Sequence, residues 1–215
     1  MRERVAALLE MVDCRRAGGP LPRRALRRQR QRVAIARAFA ARPDIILCDE
    51  FLAALDTLVA ARILELMARL QREHGVAYLF ISHDLATVAA IADRVAVMYA
   101  GRIVETGATA DIFRAPHHPY TDLLVRSVPE LRTDWLDQAI AARGSGFQPD
   151  SRLLVDGLCP FRNRCPALLP GLCDRDPPPA RDLGDGHVIH CHRDAAGLAN
   201  PLARDASGAI IGRVN

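Results

Sequence analysis

Two short apolar runs, each closed by ionisable residues, constrain this chain more than any other feature. Ile45, Ile46, Leu47 and Cys48 end on Asp49 and Glu50, and the run VAYLFI over residues 76–81 ends on Ser82, His83 and Asp84. Continuous apolar runs of this length fit strands buried on both faces of a parallel sheet. Between them, Val59, Ile63, Leu66, Met67 and Leu70 mark one face of a helix over residues 57–72, and Gly75 ends it. Parallel strands need such a crossover, so the order strand–helix–strand predicts an α/β layer. Functional side chains in these sheets gather at the carboxyl ends of the strands, which is where Asp49, Glu50 and His83 fall.

The rest of the chain arranges itself around that unit. Val5, Leu8, Leu9 and Val12 are spaced for an amphipathic helix, and Gly18, Gly19, Pro20 and Pro22 break the pattern. A second helix starts near Arg27 and stops before Arg42-Pro43, because the residue before proline is driven out of the helical region. A helix over 84–92 and strands over 94–99 and 102–105, joined at Ala100-Gly101, come next. Residues 108–127 predict two short helices around HHPY. Residues 128–157 read as loop, apart from a short helix around 134–142. After residue 194 the small, polar tail is expected to be disordered.

Composition excludes some classes. Half of the 215 residues are hydrophobic and a quarter are charged, as in ordinary globular proteins. No apolar run reaches the roughly 18–20 residues of a membrane span, and the N-terminus lacks the apolar core of a signal peptide. These points predict a cytoplasmic chain, in which six cysteines are not a disulfide framework. Cys14 and Cys48 read as small core residues. All 29 basic residues are arginine, yet the net charge is only +4. The run Arg23–Arg32 suggests a nucleic-acid arm, but aromatics make up only 5% of the chain and Trp135 is its one tryptophan. Such an arm also leaves the two closed strands unexplained, so no nucleic-acid partner is expected.

Adjacent acids at the end of a buried strand are expensive unless a cation or donor offsets them. One offset is Mg²⁺ bridged to phosphates, with the second acid polarising a water. The plainer alternative is a helix cap and a solvated acid. His83, after the second strand, fits a phosphate oxygen or the attacking water, although a histidine there alone is more often structural.

Taken in order, QRQRVAIARAFAARPDIILCDE, ALD and FISHDLATVAAIADRVAVMYAGRIVETG resemble the second half of an ABC-transporter ATPase domain. HHPYTDLL and the cysteine-rich segment narrow the resemblance to ATPase subunits of oligopeptide, dipeptide and nickel importers, over residues 1–193. The resemblance implies a partial P-loop NTPase fold, a parallel sheet flanked by helices, plus a small Cys-rich extension. Residues 1–114 would be the later part of the ATPase domain, 115–193 the extension and 194–215 a tail. ATP and Mg²⁺ would be the cofactors. Asp49 would act on Mg²⁺, Glu50 as general base, and His83 as the sensor of the γ-phosphate. Asp56 would lie in the loop that meets the partner domain, and Gln29 would end the signature motif that reads the partner's nucleotide. The implied partners are a second ATPase subunit, membrane permeases and, indirectly, a substrate-binding protein, on the cytoplasmic side of the inner membrane.

The departures are specific. Where the family reads LSGGQ, this chain has Ala25, Leu26, Arg27, Arg28 and Gln29, which removes the serine hydroxyl and the close glycine amides that meet phosphate. Phe51, Leu52 and Ala53 replace the family's usual polar loop. The 215 residues hold no GxxxxGK[ST] phosphate loop and no lysine to serve one. The isolated chain is therefore expected not to hold ATP tightly. A non-catalytic interaction partner within the transporter is the alternative to an active ATPase subunit. A parallel sheet without further strands is also expected to expose apolar surface and to be marginally soluble alone.

Cys159, Cys165, Cys173 and Cys191 are spaced C-x₅-C-x₇-C-x₁₇-C. Four thiolates suit Zn²⁺ or an iron–sulfur cluster, and the absence of a close C-x₂₋₄-C pair disfavours zinc. The resemblance implies a [4Fe–4S] cluster, and four unliganded or disulfide-bonded cysteines remain the alternative. His187, His190 and His192 are substitute ligands or simply solvated. HHPY reads as a turn set by Pro116 and Pro119 with Tyr120 packed, and no chemistry is assigned to it.

Overall fold

A computed structural model describes residues 2–14, 26–53, 55–127 and 157–199. They fall into two compact units that divide between Asp84 and Leu85. The expected helix around 134–142 lies outside the described residues, as does the tail from residue 200.

In the first unit, helices α1 (Arg2–Met11) and α2 (Leu26–Ala40) precede strand β1 (Ile45–Asp49), helix α3 (Thr57–His74) and strand β2 (Ala77–Ile81). The strands pair in parallel with Ile45 opposite Ala77 and Asp49 opposite Ile81. α3 starts where the Asp56 carboxylate accepts the Val59 N–H at 2.9 Å. It ends at Gly75, whose φ of 68° is the left-handed cap that glycine adopts without a Cβ penalty. Ile63, Leu66, Met67 and Leu70, the stripe expected from spacing, are its buried residues. They share a core with Val12, Cys14, Ile35, Phe39 and Cys48. Burial pushes the Cys48 thiol up to about 11, so it stays protonated as an inert core residue.

One expectation fails. The strands are not buried on both faces: Ile45, Leu47, Leu79 and Ile81 are 65%, 61%, 58% and 49% exposed. Their alternate neighbours Ile46, Cys48, Tyr78 and Phe80 pack into the core. The sheet has two strands, and its core lies on one side, so the continuous apolar run is divided into an inner and an outer row.

The second unit begins with α4 (Leu85–Ile91) and the antiparallel hairpin β3 (Arg94–Tyr99) and β4 (Arg102–Ala108). Ala100 and Gly101, at φ 45° and 78°, make the tight turn between them. α5 (Thr109–Ile112) and α6 (Pro119–Arg126) follow, and then the cysteine segment. That segment is not built of loops alone. Strands β5 (Ala180–Asp182) and β6 (Val188–His190) extend the hairpin into a sheet ordered β3-β4-β6-β5. A last turn, α7 (Ala195–Leu198), is capped by Asp194 and buries Leu198 completely. Disorder directly after residue 194 is therefore corrected for this turn, because a carboxylate cap and an apolar anchor hold it.

Candidate functional site

Parallel pairing of β1 with β2 delivers two of the expected residues to one place. Glu50 follows β1, and its N–H donates to the carbonyl of Ile81 at 2.9 Å, one step beyond the strand ladder. Its φ of 45° is unusual for a residue with a Cβ and turns the carboxylate at the strand end. Oε1 of Glu50 lies 2.8 Å from Nδ1 of His83, just past β2. The hydrogen bond to Glu50 and its charge hold the His83 imidazole above its ordinary value of 6.5. Both side chains are open to solvent, His83 at 79% and Glu50 at 40%.

Asp49 ends β1 and is exposed, so the expected cost of a buried acid pair does not arise; the two acids stand at a solvent-facing strand end instead. Asp56 is the N-cap of α3. Gln29 lies in α2, and its Oε1 is buried without a hydrogen-bond partner. The apolar loop after Glu50 has a packing reason. Phe51 stacks on Phe80 with ring centroids 5.6 Å apart, and Leu52 joins the same core. Gln31 Nε2 donates to the Phe51 carbonyl at 2.8 Å, which ties α2 to that loop. Arg32, from the arginine run, is buried and donates to the Val12 carbonyl at 2.5 Å and to Asp13 at 3.0 Å. Its charge is used inside the fold.

A second polar centre escaped the sequence reading. Glu105, in the middle of β4, is fully buried. It accepts the His118 backbone N–H at 2.8 Å and pairs with His187 Nε2 at 2.8 Å. Burial pushes its carboxyl above the usual range, although the His187 and His118 donors pull it down. His187 is thus a buried partner, neither solvated nor a substitute metal ligand. Only the pairing of β4 with β6 brings it across from a distant segment of the sequence.

HHPY is held at the same point. His118 is the N-cap of α6, Pro119 is its first helical residue, and Tyr120 packs edge-on against Tyr99 at 4.7 Å. His118 is 1% exposed, and burial lowers its imidazole to about 3. Its Nδ1 accepts the Tyr120 N–H at 3.1 Å, which leaves the ring proton on Nε2, 3.9 Å from Sγ of Cys159. The motif therefore does carry a polar contact to the cysteine segment.

The four cysteines line one pocket, together with His118, Arg162, His192 and Arg193. The Leu169 N–H donates to Sγ of Cys173 at 3.5 Å, and the backbone N–H groups of Phe161, Arg162, Ala167 and Arg193 partly offset the effect of burial at Cys159, Cys165 and Cys191. Burial nonetheless pushes Cys159 and Cys165 up and Cys191 to about 11. Arg181 fixes the end of β6 by donating to the carbonyls of Cys191 and His192 at 2.9 and 2.6 Å. His192 Nε2 contacts the Asp176 carbonyl at 3.0 Å. Among the described residues no three His, Cys, Asp or Glu side chains are grouped to hold a single metal ion. No described helix is long and apolar enough to cross a membrane.

Comparison with known proteins gives a consistent picture. Residues 104–173 match the family described as "Oligopeptide/dipeptide transporter, C-terminal region". A putative peptide import ATP-binding protein of Brucella abortus is 44% identical over 164 residues, 76% of this chain and 47% of that protein. The dipeptide transport ATP-binding protein DppD of Bacillus subtilis is 41% identical over 193 residues, 88% of this chain and 56% of that protein. The probable D,D-dipeptide transport ATP-binding protein DdpF of Escherichia coli is 43% identical over 165 residues, 77% and 52% of the two chains. The chain spans about half the length of the curated relatives it matches.

Proposed function

We propose that this chain, which belongs to the ABC ATPases of the peptide importer family, supplies hydrolytic residues to an ATP-driven importer of peptides. The observation that carries the proposal is the Glu50–His83 pair at adjacent strand ends. Glu50 is the carboxylate that takes the proton of an attacking water. His83 is anchored through Nδ1, and its exposed ring leaves Nε2 to donate to a phosphate oxygen. Asp49, one residue before Glu50, is the ligand for Mg²⁺, which neutralises phosphate charge when bound. Gln29 and Asp56 face the partner subunit's nucleotide and interface in this reading, Asp56 while also capping α3. The partners are a second ATPase subunit and membrane permeases, with a substrate-binding protein upstream, and the chain docks on the cytoplasmic face of the membrane.

The residues present fit the hydrolytic half of a nucleotide site and not its phosphate cradle, since the 215 residues hold no lysine. Ala25 to Gln29 favour a second reading, a non-catalytic partner that docks without turnover. One experiment separates the two. In the assembled transporter, Glu50→Gln lowers ATP turnover by about 10²-fold or more if Glu50 is the base, while unchanged turnover assigns the chain a non-catalytic role. The isolated 215-residue chain is expected to show no micromolar, Mg²⁺-dependent binding of a fluorescent ATP analogue, and such binding would overturn that part of the reading.

The finer proposal concerns the cysteines. Cys159, Cys165, Cys173 and Cys191 would hold an iron–sulfur cluster, or Zn²⁺ as the alternative, through their thiolates. A bound cluster supplies a cross-link among loops and one-electron chemistry. Support comes from the shared pocket wall, which all four cysteines line.

A further inference from the structure

The Glu50 backbone is held in a left-handed conformation, φ 45°, which a residue with a Cβ keeps when its surroundings over-determine it. Its side chain is 40% exposed, so backbone geometry sets the direction of the carboxylate more than packing does. Three contacts on the backbone fix that geometry. The Glu50 N–H donates to the Ile81 carbonyl at 2.9 Å, and the Glu50 carbonyl accepts the Ala53 N–H at 3.2 Å, which closes a turn over residues 50–53. The central peptide of a four-residue turn is the one whose rotation changes the turn type, and here it carries the Phe51 carbonyl. Gln31 Nε2 donates to that carbonyl at 2.8 Å. Gln31 comes from α2, two residues past Gln29 and about 200° around the helix from it. The two amides therefore serve different sides of α2. The ring of Phe51 adds a brace by stacking on Phe80, three residues before His83. One loop thus sets the position of both members of the Glu50–His83 pair.

We propose that Gln31 is a positioning residue for the Glu50–His83 pair: by holding the central peptide of the turn that starts on Glu50, it keeps the carboxylate within reach of His83 and of an attacking water. This rests on the reading of Glu50 as the general base. Gln31 does not touch the reacting atoms. It acts through the Phe51 peptide, and a carboxylate displaced by a fraction of an ångström is a poorer base for a water held in place.

Two readouts test this. In the assembled transporter, Gln31→Met keeps the side-chain length and the helix propensity and removes the donor. It is expected to lower kcat for ATP hydrolysis about tenfold, with KM for ATP changed by less than about twofold. Gln31→Lys returns an N–H donor and is expected to recover most of the lost kcat. In the full isolated chain, nitrogen NMR of the His83 imidazole at one fixed pH reports the hydrogen bond on Nδ1. Gln31→Met is expected to move that signal part of the way toward its position in Glu50→Ala, and Gln31→Lys to move it back. If Gln31→Met fails to fold, by far-ultraviolet circular dichroism, Gln31→Glu carries both comparisons, since it keeps the length and sets an acceptor against the carbonyl. A folded donor-free variant with native kcat and a native His83 signal overturns the role of Gln31 and leaves Glu50 as the base. A fall in kcat with an equal rise in KM and no recovery in Gln31→Lys also overturns it, because general loosening of the fold has that signature. A shifted His83 signal alongside undiminished turnover in Glu50→Gln overturns the hydrolytic reading, while the hold of Gln31 on the pair stands.

Discussion

Glu50 and His83 show how much a single contact adds to two letters of sequence. Each sat at an expected strand end, but only the parallel register sets Oε1 and Nδ1 2.8 Å apart. The pair predicts a titration. The His83 imidazole should titrate above 6.5 by NMR, and Glu50→Gln should return it toward that ordinary value. A pKa raised by folding stabilises fully below the unfolded value and is lost as pH rises through the folded one, so this contact weakens on the alkaline side. Glu105 makes the opposite case, a buried acid that no spacing rule marks. Removing it in Glu105→Ala strands the His118 N–H and His187 in the interior, and urea unfolding should register a loss of about 3 kcal/mol or more. Glu105→Gln keeps the volume and an acceptor and should cost clearly less.

At the scale of elements, α3 was the most legible. Its apolar stripe, its stop at Gly75 and its start after the ALD segment all follow from local rules, because helix periodicity and capping act within a few residues. Asp56→Ala should cost about 1 kcal/mol through the lost cap, and Gly75→Ala a similar amount through its left-handed φ. Additive effects of the two, separated by the length of the helix, would be seen in chemical denaturation. β5 and β6 were illegible by the same logic. Three-residue strands carry no periodic signal; β6 exists because the edge of β4 offers it unpaired backbone groups, and β6 in turn offers its own free edge to β5.

For the whole molecule, the outer row of the β1–β2 pair is the prominent surface. Ile45, Leu47, Leu79 and Ile81 form an apolar strip on a two-stranded sheet, a surface larger than scattered exposed residues. The double substitution Leu47→Lys with Leu79→Lys should raise the solubility limit of the isolated chain markedly. It should change the unfolding free energy by no more than about 1 kcal/mol per site. Light scattering and urea titration on the same samples check both halves. A large destabilisation would mean that these side chains pack in solution.

By itself the sequence determined the strand–helix–strand order, the helix stripe, the ionisable residues at the strand ends and the family to which they point. These are local or ordered along the chain, and periodicity, caps and motif spacing are written directly in neighbouring residues. Tertiary structure alone decided the rest. It exposed one face of strands that read as buried, spent Arg32 on Val12 and Asp13, and joined Glu105 to His187. It also brought four widely spaced cysteines to a pocket facing His118 and Arg193. Each of those outcomes depends on which segments the chain returns to one another, and pairing between segments far apart in the chain leaves no periodic trace in a single sequence.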